Sequence, residues 1–389
     1  MYKVAVVLGI RPDFIRTSKV LKLLRDHPKV DLHLIHTGQH YDKNLNDIFF
    51  EEMEIPPIDH QLNTKGKNHN EQHSRLILQL SDVLDRIRPD VCLFLGDANA
   101  TIGCIAPLKL SIPIAHIEAG MRSYDWSMPE ERNRVIIDRI SDVLYVYQED
   151  YRVQLVQEGI DPTKIVVTGN VIVDVLKDYE NYFYWHGWDD IYGPRYYADA
   201  PVEHKKYALM TLHRNEHMVS RGLARSIINY VGEATKKLDI PVVLIEMPRL
   251  KQLGLKYPDN FLVTPPLGFF EFGMLEKNAM IEFTDSGTNQ EVASIFGTPC
   301  VVTRTCTERP ECRKSGTTVL SGYLRPMILE ATEKVLNAVP NEEFTLGDGR
   351  ASERIVNDLI ERLDNNWKRY HNDRMLYVDS FKTEHFRLL

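Results

Sequence analysis

Cysteine is scarce and irregularly placed in this chain. Five are present, Cys92, Cys104, Cys300, Cys306 and Cys312, in 389 residues. An odd number without C-x-x-C spacing argues against a disulfide framework. The gaps between Cys300, Cys306 and Cys312 match no zinc pattern, so no metal site is expected. Long apolar runs are missing too; none approaches the roughly 20 residues of a membrane span. Positive charge is not in excess: 47 Lys and Arg face 55 Asp and Glu, for a net charge of −8. A nucleic acid or an anionic membrane surface is therefore a poor candidate for main partner. The chain begins with a strand pattern, Lys3 to Leu8, not a basic segment before an apolar core. No secretory signal is expected, and a cytoplasmic location fits. Internal repeats, low-complexity segments and the dinucleotide fingerprint G-x-G-x-x-G are also absent.

What is present is ordinary globular composition, 43% hydrophobic and 26% charged, in a chain too long for one core. Short apolar runs recur at Val4–Leu8, Leu32–Ile35, Val91–Leu95, Ile114–Ile117, Val143–Val146 and Ile165–Val167. Helical patterns lie between most of them, as at Ile15–Arg25, Glu71–Arg86, Thr101–Leu110 and Glu130–Ile140. The alternation restarts after residue 205 with Ala208–Met210, Val242–Ile245, Phe261–Val263, Met280–Phe283 and Pro299–Val302. An α/β fold with two doubly wound, mostly parallel halves is expected, binding ligand in a crevice at the carboxyl ends of the strands. The expected domains are 1–175 and 205–365. Between them lies an aromatic-rich insertion, 176–204, containing Tyr182, Phe183, Tyr184, Trp185, Trp188, Tyr192, Tyr196 and Tyr197. It reads as a packed insertion or subunit contact rather than a flexible linker.

The residues suited to chemistry sit at strand ends. Phe283-Thr-Asp-Ser-Gly287 ends a buried run and opens a helix, a ready anion site of free N–H groups and positive dipole. Arg309, in Thr307-Glu308-Arg309-Pro310-Glu311, adds a guanidinium that can grip a diphosphate. Gly9-Ile10-Arg11-Pro12-Asp13 follows the first strand, with Arg16 nearby. Asp97, Glu118, Glu130 and His213 each follow a strand or open a helix. Any one of them reads equally well as a cap or a surface charge; together they point to a shared functional crevice.

The ordered set Gly9-x-Arg11-Pro12-Asp13, His36-Thr37-Gly38-Gln39-His40, Gly96-Asp97, Glu118-Ala119-Gly120, Pro129-Glu130-Glu131-x-Asn133-Arg134, Thr168-Gly169-Asn170, His213-Arg214, Asp285-Ser286-Gly287 and Thr307–Glu311 resembles the non-hydrolysing UDP-N-acetylglucosamine 2-epimerase family. The resemblance implies a GT-B fold of two Rossmann-like domains, with a terminal helix, about 366–389, packing back on the first. It implies a UDP-sugar substrate, no cofactor or metal, and a homodimer. Carried over by motif, Asp97, Glu118, Glu130 and His213 form the catalytic group. Arg11, Arg16, Arg134, Ser286, Gly287, Thr288, Glu291 and Arg309 fall to substrate binding, with Leu267 and Phe272 at the uracil. Three departures stand out. Arg16 replaces a family lysine, and Val292 replaces a glutamate that contacts ribose in the family. Asn63-Thr64-Lys65-Gly66-Lys67-Asn68 looks more like relatives acting on 2,3-diacetamido-uronic or 6-deoxy sugars.

The family reaction inverts C2 by anti elimination of UDP to a 2-acetamidoglucal, followed by re-addition. That C2 proton has no adjacent carbonyl, so UDP departure must run ahead and charge must be stabilised at C1. Carboxylates and arginines are the types this needs. Rival readings are a hydrolysing relative, which would hold a water at C1; a glycosyltransferase, which would need an acceptor groove; and a non-catalytic UDP-sugar binder, which would not need the carboxylates.

Overall fold

The structure is a computed structural model that describes residues 1–38, 53–185 and 202–367. Gln39 and His40, the aromatics from Trp188 to Tyr197 and the expected helix beyond Trp367 lie outside the described residues. The chain divides into two compact units: residues 1–120, 126–174 and those from 347 onward in one, 121–125 and 175–346 in the other.

The first unit is built on β1 (Tyr2–Leu8), β2 (Val30–His36), β3 (His60–Gln61), β4 (Val91–Leu95), β5 (Ile114–Ile117), β6 (Val143–Val146) and β7 (Ile165–Val167). They form one seven-stranded sheet in the order β3-β2-β1-β4-β5-β6-β7, every neighbouring pair parallel. Parallel strands need helices on both faces, so the central ones are buried and mostly apolar. Every residue of β4, β5 and β6 is buried. Nearer the edge, β2 alternates: Val30 and Leu32 are buried, while Asp31 and His33 are partly exposed. Leu76, Leu80, Val83, Leu84 and Ile87 of the helix His69–Ile87 recur at helical spacing and pack with Ala5, Val7, Cys92 and Phe94.

The second unit repeats the plan with β8 (Ala208–Thr211), β9 (Val242–Ile245), β10 (Phe261–Thr264), β11 (Ile281–Thr284), β12 (Cys300–Val302) and β13 (Thr318–Leu320). Its six strands lie in the order β10-β9-β8-β11-β12-β13, all parallel. In both sheets the chain runs outward on either side of a central pair, β1 and β4 in one, β8 and β11 in the other. The connections after those strands diverge and leave room for a ligand at their carboxyl ends.

Two details differ from the sequence expectation. The predicted helix Thr101–Leu110 is a 3₁₀ segment, Asn99–Cys104, followed by a short α-helix, Ile105–Lys109. Pro107 has no N–H to close a helical bond, so it belongs in the first turn of a new helix, where none is required. The helix Ala351–Asp364, expected within the second domain, belongs with the first unit. It buries Ile355, Val356, Leu359, Ile360 and Leu363 along one face. Its first turn is held by the buried carboxylate of Asp174, which accepts from the N–H groups of Ala351 at 3.1 Å and Ser352 at 2.6 Å. Its far end is tied by Asp364, which accepts from Tyr2 Oη and Lys29 Nζ, each at 2.7 Å.

The described part of the aromatic run packs within the second unit. Phe183 is fully buried and meets Phe269 edge-on with centroids 5.6 Å apart; Tyr182 stacks on Phe270 at 4.4 Å.

Candidate active site

The first unit carries a cluster of carboxylates and guanidiniums at the ends of β1, β4 and β5. The helix Arg11–Asp26 starts at once after Gly9 and Ile10, with Arg11 half-buried at its first position and Pro12 in its first turn. Asp13 reaches back, its Oδ2 accepting from the N–H groups of Gly9 at 3.2 Å and Ile10 at 3.1 Å. Its Oδ1 accepts from Arg16 Nη2 at 3.1 Å, and Arg16 Nη1 donates to Glu118 Oε2. Burial pushes the Asp13 carboxyl up to about 6, against the pull of Arg16 and the two N–H groups. Arg16, expected at the diphosphate, thus stands as the partner of Glu118.

Glu118 directly follows β5 and is 1% exposed. Its φ is +69°, the left-handed region, which costs a bulky residue ~1–3 kcal/mol and persists only where neighbours enforce it. They do: Arg16 and Tyr147 Oη, the latter at 3.3 Å, both donate to Oε2, and the following Ala119 N–H donates to Tyr145 O at 3.2 Å.

Asp97 stands one strand away, after Gly96. Arg134, fully buried on the helix Pro129–Ile140, donates to Asp97 Oδ2 and, at 2.9 Å, to Glu131 Oε2. Asn133 Nδ2 donates to the Asp97 carbonyl at 3.0 Å. Gly96 joins the two carboxylate groups. A Cβ there would lie 3.2 Å from Arg16 Nη2 and 3.4 Å from Glu118 Oε1. Glu130 stays half-buried in the first turn of the Arg134 helix. In this cluster four carboxylates, Asp13, Asp97, Glu118 and Glu131, meet two guanidiniums, Arg16 and Arg134. The imbalance leaves a field that favours developing positive charge.

The second unit carries a second cluster, built around a helix N-terminus, at the ends of β8, β11 and β12. Ser286 caps the helix Gly287–Phe296, its Oγ accepting from Asn289 N–H at 3.4 Å; Thr288 sits half-buried in the first turn. Arg309 lies over that helix start. A Cβ on Gly287 would fall 2.3 Å from Arg309 Nη1 and 2.8 Å from Glu308 Oε1, so the close approach requires glycine. Arg309 donates from Nη1 to Glu308 at 2.6 Å, and its Nε lies 3.1 Å from Glu291 Oε1. Glu308, fully buried, also takes Arg214 and Arg304, each at 2.9 Å. Glu291 is thus directed at Arg309, and Val292 beside it is buried.

Asp285 organises the histidines. It accepts from the N–H groups of His213 and Arg214, and its oxygens lie 3.0 Å from His213 Nδ1 and 2.9 Å from His217 Nδ1. Burial would raise its pKa, but His213 and His217 overrule that and hold the carboxyl far below the usual range. Nδ1 of His213 is tied to Asp285, and the side chain is 38% exposed. The helix N-terminus at Gly287, with the Arg309 guanidinium over it, suits a bound anion. Leu267 and Phe272 pack together with Trp185 and Met247 on the apolar group around Leu209, Val243 and Ile245, beside these strand ends.

The structure therefore pairs Arg16 with Glu118, Asp97 with Arg134, and Arg309 with Glu291 over Ser286 and Gly287. Sequence reasoning missed Tyr147 in the first unit and His217 in the second; it named Asp13, Arg214, Asp285 and Glu308 within motifs but gave none of them a role of its own. Asp13 carried a signal, since an acidic residue in the third helical position often caps.

A protein-family model described as UDP-N-acetylglucosamine 2-epimerase matches residues 22–360. The chain belongs to the UDP-N-acetylglucosamine 2-epimerase family. It is 36% identical to the UDP-N-acetylglucosamine 2-epimerase of Methanocaldococcus jannaschii over 92% of this chain and 98% of that one. It is 35% identical to the UDP-2,3-diacetamido-2,3-dideoxy-D-glucuronate 2-epimerase of Pseudomonas aeruginosa over 92% and 99%. The crystal structure of the M. jannaschii enzyme in complex with UDP-GlcNAc and UDP aligns with a TM-score of 0.85 at 35% identity, over 92% of this chain and 99% of that one. The Neisseria meningitidis epimerase bound to UDP-GlcNAc aligns at 0.78 and 28% identity, over 92% and 100%. The fold is of the GT-B class, and a family of epimerases makes this chain an isomerase. No helix among the described residues is long and apolar enough to cross a membrane.

Proposed function

We propose that this chain inverts C2 of a UDP-N-acetylhexosamine by anti elimination of UDP to a 2-acetamidoglucal and re-addition, without releasing free sugar. The observation that carries the reading is the division of charge. Carboxylates outnumber guanidiniums at the Asp97 and Glu118 strand ends, while an anion cradle of Ser286, Gly287 and Arg309 stands in the second unit. The reaction needs both at once: negative groups for the charge at C1 and for the C2 proton, and positive groups for the departing diphosphate.

In this reading Asp97, Glu118 and Glu130 are the proton carriers and charge stabilisers, because inversion needs a carrier for each face of the ring. Arg309, Arg11, Ser286, Gly287 and Thr288 hold the diphosphate. His213, oriented by Asp285, offers Nε2 to the leaving oxygen. Leu267 and Phe272 flank uracil. Arg16, Arg134 and Glu291 act one step back, on Glu118, Asp97 and Arg309. No cofactor or metal enters the reaction, and the enzyme works as a cytoplasmic homodimer supplying precursors of surface polysaccharide.

The sugar is the least constrained part, since identities of 36% and 35% do not separate the N-acetylglucosamine and diacetamido-uronic relatives. The deciding experiment is proton NMR of the protein with UDP-N-acetylglucosamine in deuterium oxide. UDP-N-acetylmannosamine carrying deuterium at C2 is expected. Free N-acetylmannosamine would select the hydrolysing reaction instead. Silence with this sugar but C2 exchange in the diacetamido-uronic substrate would keep the mechanism and change the substrate. Silence with both would sink the epimerase reading in favour of a binder.

A further inference from the structure

We propose that His116 and Asp138 are positioning residues that lock the Asp97 and Glu118 strand ends into one register; this rests on the epimerase reading above. His116 lies on β5 and is fully buried; Asp138 lies on the helix Pro129–Ile140 and is 1% exposed. His116 Nε2 is 2.8 Å from the carbonyl oxygen of Gly96. A carbonyl only accepts, so Nε2 carries the hydrogen. His116 Nδ1 is 2.7 Å from Asp138 Oδ1, and Asp138 Oδ2 accepts from the N–H of Gly120 at 3.1 Å. One unbroken chain of hydrogen bonds therefore runs from the residue before Asp97 to the second residue after Glu118.

A buried histidine with satisfied nitrogens is often only structural. Here both its ends grip main chain that flanks a carboxylate. That main chain needs gripping: Gly96, Glu118 and Gly120 have φ of +68°, +69° and +81°. Left-handed backbone at a non-glycine residue holds only where surroundings over-determine it. Movement at Gly96 would also be felt directly, because Glu118 Oε1 and Arg16 Nη2 lie just beyond its Cα. The polar atoms of His116 and Asp138 are spent on each other and on the main chain of Gly96 and Gly120, not on a group that could reach substrate. Their effect on turnover must pass through Asp97 and Glu118. A misplacement of about 1 Å at a reacting group can cost 10²-fold in rate.

The test compares the full-length wild type with His116→Ala, His116→Gln and Asp138→Ala. His116→Ala should lower kcat by roughly 100-fold. KM, and UDP affinity by calorimetry, should stay within about threefold, because the groups assigned to UDP lie elsewhere. His116→Gln should recover a large part of kcat, since its amide can still donate to Gly96. Asp138→Ala, which removes the partner of both the ring and the Gly120 N–H, should lower kcat as His116→Ala does. Independently of turnover, amide hydrogen exchange at Gly120 and in the segment around Gly96 should quicken in His116→Ala and Asp138→Ala, with the rest of the sheet unchanged. The proposal is overturned if kcat in His116→Ala stays within threefold of wild type. It is equally overturned if kcat falls only in step with melting temperature and glutamine restores nothing. Should His116→Ala not fold, the other two variants carry the comparison. A wild type inactive on every UDP-sugar would defeat the epimerase reading. The exchange measurement would still judge the clamp, and unaltered exchange at both loops would overturn it.

Discussion

At the scale of single residues, the groups that were legible in the sequence are those that chemistry places at strand ends. Asp97, Glu118, His213, Ser286 and Arg309 each follow an apolar run or open a helix, and the local pattern exposes them. Their partners were not legible, because pairing is tertiary. Glu308 and Arg214 are 94 positions apart, and Glu118 and Arg16 are 102 apart. Two substitutions test this level. Glu118→Gln keeps the shape and removes the charge; it should suppress turnover by at least 10²-fold while leaving UDP affinity within several-fold. Collapse of UDP binding in calorimetry would instead assign Glu118 to binding or folding. Gly287→Ala places a methyl where Arg309 Nη1 now lies, 2.3 Å from the new carbon. Arg309 must leave the helix start, and UDP affinity should fall by roughly 10- to 100-fold, the worth of a charge-assisted contact. Affinity unchanged by calorimetry would remove Arg309 from the diphosphate.

At the scale of elements, the central strands were readable because burial on both faces makes them continuous apolar runs. Of the edge strands, β7 and β10 were read as apolar runs, while β3, only His60 and Gln61, and β13, which opens on Thr318, were not. One central strand hides a polar feature that no pattern would suggest. Glu282 of β11 and Glu276 of the helix Phe269–Asn278 are both buried, and Glu282 Oε1 accepts from Asn289 Nδ2 at 2.9 Å. Burial raises both pKa values; Glu282 is pushed up to about 7, and Glu276 well above its ordinary 4.5, further lifted by Glu282 beside it. One carboxyl therefore keeps its proton and donates it to the other. Because the folded pKa values are raised, this stabilisation is full below pH 4.5 and is lost as pH rises through about 7. Melting temperature should drop progressively between about pH 4.5 and 7.5, with Glu282 alone contributing on the order of 3 kcal/mol over that span. Glu282→Gln should flatten that slope, and a slope unchanged in the variant would place the titration elsewhere.

At the scale of the whole molecule, the repeated βα pattern announced two doubly wound units, and both sheets are parallel. The path of the chain between them was less visible. The helix Ala351–Asp364 has an ordinary amphipathic pattern, which says that one face is buried but not against what. Its destination is set by Asp174, the last residue before the chain leaves the first unit. Asp174→Ala would strand two buried N–H groups and should cost about 2 kcal/mol or more in chemical denaturation. A loss below about 0.5 kcal/mol would show that the helix is seated by its apolar face alone.

That return also sets an order of assembly. Synthesis proceeds from the first residue to the last, at roughly 5–20 residues per second. The second unit has all of its residues once Leu346 has been added, but the first still lacks the helix Ala351–Asp364. The half of the molecule that begins later is thus ready to close sooner. The half that begins first must wait on the ribosome, its Asp174 carboxylate and the floor beneath the missing helix open to water, until residues 351–364 have been made.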